Sequence, residues 1–210
     1  WLVDLTDRLN SGELDDYVEG MVDSCQFNGK TWAYPYFMNL GILYFRKDLL
    51  NKYDYGKDDI TTWEGVKAVA NDILEQENDE DLVGYVAQFD NYEGGTVNFM
   101  EWIGSNGVTD IYDQFGGAAM EQNGIKEAMT FLKGLIPPSG ESDLIDSDYI
   151  IPRSALTFNE GSSQEVWLAG NAIFIRQWTY IYLLSQNAGL DFGVADLPGF
   201  QGVQNPKTSC

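Results

Sequence analysis

The sequence predicts an α/β layered fold, and three observations carry the prediction. Short β-rich runs alternate with helical patterns along the whole chain. Helix-start spacings (Thr61/Glu64 and Ser162/Glu165) and glycine stops punctuate those runs. The 210 residues are 44% apolar, enough for a genuine core in one large domain or two small ones.

Taken in order, an opening segment with helical spacing leads to "NGKTWAYPY", where Asn28-Gly29 predicts a turn into a short strand stopped by Pro35. "GILYFR" reads as a second strand and "KDLLNKY" as a short helix. Thr61 and Glu64 have capping-box spacing, so a longer helix is expected from there to about Gln76. The acidic "EQENDEDL" that follows lacks the alternating ligands and central glycine of a calcium loop, and reads as a solvated turn. "LVGYVAQF" is a strand, and "YEGGTVNFMEWIGSNG" a helix closed by a left-handed stop at Asn106-Gly107. Ile125, Ala128, Met129, Leu132, Leu135 and Ile136 recur at helical spacing until Pro137-Pro138. Ser162 and Glu165 then open a short helix closed by Gly170, "NAIFIR" is a strand, a further short helix ends near Asn187 to Gly189, and "DFGVADLPG" is a last strand and turn.

Composition removes several function classes. Thirty-three acidic against 12 basic residues give a net charge of −21, which repels nucleic acid and anionic membrane and equally suits a salt-rich habitat. Without any histidine there is no Ser-His-Asp triad, Cys-His pair or histidine metal site. Cys25 and Cys210 are the only cysteines, either free or forming one bridge. No apolar run reaches the length of about 18 residues that a membrane helix needs. Both ends read as cut, so an internal piece of a longer protein is expected.

Ligands in open α/β sheets sit outside strand ends, which directs attention to the residues after "NAIFI". Arg176, Gln177, Trp178 and Tyr180 stand there. An indole face suits the C–H face of a sugar ring while amide and guanidinium groups take its hydroxyls; the alternative is a core aromatic at a helix start. Tyr36, Phe37 and Asn39 in "PYFMNLG" form a second aromatic corner, binding groups or a hydrophobic crossover with a turn. In "DNYEGGTVNF", Tyr92 and Glu93 stand at a helix start where two glycines let a ligand or another backbone come close, although capping alone explains Glu93. A glycosidase needs two carboxylates about one bond, and Glu93 and Glu101 lie more than two helical turns apart.

These corners together resemble the extracellular solute-binding proteins of ABC importers, in particular the maltose- and trehalose/maltose-binding group. "NGKTWAYPYFMNLGILYFRKDLLNKY", "TTWEGVKAVANDIL", "YEGGTVNFMEWIGSNG" and "FNEGSSQEVWLAGNAIFIRQWTYIY" are similar to that family's segments in order along essentially the whole chain. The resemblance implies a type II periplasmic-binding-protein lobe with a mixed sheet, part of an incomplete two-lobe structure. Residues 1–40 would belong to the first lobe and crossover, 41–190 to the second α/β lobe, and 191–210 to a return crossover. It places Trp178 on the family's sugar-stacking tryptophan, Asn39 where relatives often carry an aspartate, and Tyr36 on a pocket aromatic. Asn39 replaces that carboxylate, Gln177 asparagine, Thr179 proline and Asn171 lysine, and the departures at Asn39 and Thr179 bear on which sugar fits. The implied function is oligosaccharide binding by a monomer that delivers ligand to a membrane permease, with no metal, cofactor or nucleic acid. The implied location is periplasmic or extracellular, with a lipid anchor as one means of retention at the cell surface. A carbohydrate-active enzyme and a bare interaction domain are the competing classes.

Overall fold

A computed structural model of the chain describes residues 1–113, 115–140, 149–204 and 206. It divides into two units, 1–39 and 40–210.

In the first unit a helix, α1 (Glu19–Ser24), leads into a two-stranded antiparallel hairpin, β1 (Gln26–Phe27) and β2 (Lys30–Thr31). Asn28 and Gly29 both have positive φ, 51° and 71°, the conformation that a two-residue turn between right-twisted strands requires. The turn expected from Asn-Gly is therefore present, although each strand is only two residues long. The expected opening helix is reduced to a 3-10 turn at Thr6–Arg8 and to α1. Cys25 is half-buried, and the other half of any bridge, Cys210, lies outside the described residues.

The second unit is a mixed four-stranded sheet with helices on both faces. Its elements are β3 (Ile42–Arg46), α2 (Lys47–Lys52), α3 (Trp63–Glu77), β4 (Val83–Val86), α4 (Glu93–Ser105), α5 (Asn123–Gly134), α6 (Glu160–Leu168), β5 (Ala172–Gln177), α7 (Ile181–Asn187) and β6 (Phe192–Ala195). The strand order is β4-β5-β3-β6; β4 pairs parallel with β5, and β3 lies antiparallel to both β5 and β6. Alternation on β3 sends Leu43 and Phe45 into the larger core with α3, α4 and α5, and Tyr44 into a smaller core with Trp167 of α6 and Ile181 of α7. At the centre of the larger core the indoles of Trp63 and Trp102 stack with centroids 3.7 Å apart at 17°, and Trp63 Nε1 donates to Ser105 Oγ at 3.0 Å.

Two helix starts differ from the sequence expectation. Thr62, not Thr61, caps α3, its hydroxyl accepting from the Gly65 N–H at 3.1 Å. Glu64 instead accepts from the Gln201 N–H at 3.1 Å, and so helps anchor the chain that follows β6. Asn159 caps α6, with Ser162 returning the bond as the third helical residue, where Ser162 was expected as the cap. The stops at Gly107, Gly170 and Gly189 have the expected positive φ. Among the described residues no helix is long and apolar enough to cross a membrane.

Candidate functional site

Strand directions gather the C-terminal ends of β4, β5 and β6 and the N-terminal end of β3 at one edge of the sheet. Gln88, Arg176, Gln177 and Trp178 therefore converge there, where open α/β sheets hold ligands. A charged side chain so deep in the sheet has to be paired, and Arg176 is. It is 1% exposed and forms a two-pronged bond with Glu101 of α4, itself 3% exposed: Nε donates to Oε2 at 2.7 Å and Nη2 to Oε1 at 2.5 Å. Burial pushes the Glu101 carboxyl above its ordinary value, while the guanidinium pulls it back down.

Neutral groups complete the network. Arg176 Nη1 donates to Gln88 Oε1 at 3.0 Å, and Gln88 Nε2 donates to Ser163 Oγ at 2.9 Å and to the Arg176 carbonyl at 3.1 Å. Gln177 Oε1 accepts from the Trp178 N–H at 3.1 Å, and its amide donates to the Glu160 carbonyl at 3.2 Å.

Trp178 is the outermost member. The Arg176 guanidinium lies 3.8 Å from its ring centroid, a cation–π stack that covers one face. Its Nε1 donates to Glu160 Oε1 at 3.1 Å, and Glu160 Oε2 accepts from the Tyr92 hydroxyl at 2.7 Å. Burial works against the Glu160 charge, yet the bonds from Tyr92 and Trp178 outweigh it and lower the carboxyl pKa. The Tyr92 phenol is pushed well up by burial and by donating to that carboxylate.

An open platform was expected at Trp178. The residue is instead 8% exposed, because the guanidinium takes one face and the carboxylate takes the N–H edge. Arg176 and Gln177 are fully buried with partners inside the protein, so they hold the ring and do not themselves face solvent. Tyr180 is 43% exposed and Glu93 is exposed at the first position of α4. The space beside the paired glycines is already filled: a Cβ on Gly94 would overlap the Tyr92 phenol, and one on Gly95 the Asp90 carbonyl. In the first unit Tyr36, Phe37 and Asn39 are all exposed, with Tyr36 and Phe37 in a T-shaped ring pair at 5.6 Å.

Sequence reasoning missed Glu160 and Gln88. Glu160 had one usable signal, an acidic residue at the first position of a helix that faces a strand end. A cavity of about 750 Å³ also opens at this edge, beside Gly41, Lys57, Asp58, Thr61 and Asp196. Among the described residues no aromatic side chain lines it.

No protein-family model matches the chain. A probable ABC transporter-binding protein of Deinococcus radiodurans is 33% identical over 213 residues, covering 99% of this chain and 48% of that protein. The structure of maltose-bound MalE3 from T. maritima is 31% identical with a TM-score of 0.77, over 97% of this chain and 50% of that one. An Agrobacterium radiobacter K84 solute-binding protein in complex with ribitol, 22% identical with a TM-score of 0.73, shares the fold over 97% of this chain and 50% of its own. The chain spans about half the length of these relatives. It is a relative of the ABC-transporter solute-binding proteins, with a fold that corresponds to about half of one.

Proposed function

We propose that the whole protein is a sugar-binding component of an ABC importer, and that this chain carries one of its sugar-gripping surfaces. The observation that supports the reading most is Trp178 at the end of β5, backed by Arg176 and edged by Glu160, in a chain 31% identical to a maltose-bound relative. In this reading the part of Trp178 that stays exposed, 8% of the residue, meets the apolar face of a pyranose. Tyr180 and the tyrosine-carboxylate pair of Tyr92 and Glu160 offer hydroxyl and acceptor groups at its rim. Tyr36, Phe37 and Asn39 are the candidate ligand groups of the first unit, each to be tested by substitution on its own.

In this reading the protein works as a monomer outside the cytoplasmic membrane, by lipid anchorage or in the periplasm, and hands its ligand to a membrane permease. Binding proceeds through side chains alone, without a cofactor. The glycosidase alternative gains nothing from the geometry, since Glu101 commits both carboxylate oxygens to Arg176. Calorimetric or NMR titration with maltose, with sugar analysis of the same samples, tests the reading. Saturable binding with the disaccharide intact supports it; glucose accumulating with time refutes pure binding.

A further inference from the structure

We infer that Glu160 is the positioning residue of this site, a single carboxylate that fixes the ring orientations of Trp178 and Tyr92 together. Three separate elements meet at it. Tyr92 precedes α4, Glu160 is the first residue of α6, and Trp178 follows β5. One carboxylate oxygen accepts from the indole N–H at 3.1 Å and the other from the phenol at 2.7 Å.

The Arg176 stack cannot substitute for this clamp. A cation over a π face holds the ring plane at its height but is nearly indifferent to rotation of the ring within that plane. The N–H···O bond from the indole edge is directional, and so it sets that rotation. Glu160 is itself well fixed. Its carboxylate lies at the positive end of α6, its helix is capped by Asn159, and its carbonyl accepts from Gln177 Nε2 at 3.2 Å. For its effect on affinity, the inference rests on the sugar-binding reading; for ring orientation it does not.

The experiment uses the ¹⁵N-labelled 210-residue chain, with the Trp178 indole N–H signal identified by its loss in Trp178→Phe. Glu160→Ala is expected to displace that signal and leave the other five indoles in place. Glu160→Gln, whose amide oxygen can accept the same bond, restores most of the shift. Glu160→Asp keeps the charge but is too short to reach both rings, so it displaces the signal even if the alanine variant fails to fold. In maltose titrations, affinity falls about tenfold in Glu160→Ala and less than about threefold in Glu160→Gln. A Trp178 signal unmoved in the alanine and aspartate variants overturns the inference, as does equal maltose affinity in wild type and Glu160→Ala. If maltose shifts no signal in the wild type while Glu160→Ala still displaces Trp178, the sugar reading fails and the clamp stands.

Discussion

Replacing Glu101 by leucine strands a buried guanidinium, and the structure gives the size of the effect. Both side chains are at most 3% exposed, and Arg176 loses two charge-assisted bonds of 2.7 and 2.5 Å, keeping its bond to Gln88 and its stack on the Trp178 ring. Breaking one side of a buried pair costs about 3–5 kcal/mol, a large fraction of the roughly 5–15 kcal/mol that holds a domain folded. The second unit runs from Leu40 to Cys210, 210 − 39 = 171 residues. A domain of that size loses roughly 2–4 °C in Tm per kcal/mol, so a fall of about 6–20 °C is expected by thermal circular dichroism, with a matching shift in urea midpoint. The double variant Glu101→Leu/Arg176→Leu should cost less than the sum of the singles, because the charge left behind is removed with its partner. Glu101→Gln separates the contributions: a pair that is ionised at neutral pH loses about half of the leucine effect or more, whereas a protonated carboxyl loses almost nothing. A Glu101→Leu loss below about 1 kcal/mol would refute the reasoning, since a buried arginine cannot be that cheaply deprived of its counter-charge.

Other outcomes follow from the same geometry. Gly41→Ala places a methyl group onto the Glu101 carboxylate and the Arg176 guanidinium, and should destabilise the unit nearly as much as loss of the pair, read by urea denaturation. Thr62→Ala should cost about 1 kcal/mol and Thr61→Ala less than about 0.5, because only Thr62 caps α3; equal losses would return the cap to Thr61. Trp178→Ala should weaken maltose binding by a factor of about 30 or more in calorimetry, as for an aromatic anchor, and unchanged affinity would remove the ring from the site. Because the folded Glu160 pKa lies below the usual 4.5, its carboxylate contributes fully above that value and is lost as pH falls through the lower folded value. The Trp178 indole signal should therefore stay constant down to about pH 5 and move only on acidification below 4.5; a transition centred above 4.5 counts against the clamp.

Periodic features were legible in the sequence and long-range partners were not. The apolar spacing of Ile125 to Leu132 gave α5 directly, and the β-rich runs gave β3 to β6 in order, because burial of one face imposes its period on the residues themselves. Capping was read one residue out at Thr61 and three out at Ser162. The S/T-x-x-E spacing does not say which of several polar neighbours adopts the extended backbone of a cap, and Glu64 is drawn away by a backbone N–H 137 residues further on. At the site, the position of Trp178 after a strand was legible but its burial was not. Arg176 looks from its sequence neighbours like a group ready for sugar hydroxyls. It is the fold, by bringing Glu101 from 75 residues away, that turns it inward. Glu160 escaped for the same reason: its partners Tyr92 and Trp178 lie 68 and 18 residues distant.

The near-parallel indoles of Trp63 and Trp102, 3.7 Å apart, form a pair of coupled chromophores. Their aromatic transitions should split into an exciton couplet in the ultraviolet circular dichroism spectrum. That band would vanish when the larger core melts and ignore events around Trp178, so one optical cell could follow integrity of the scaffold and occupancy of the sheet edge as separate signals.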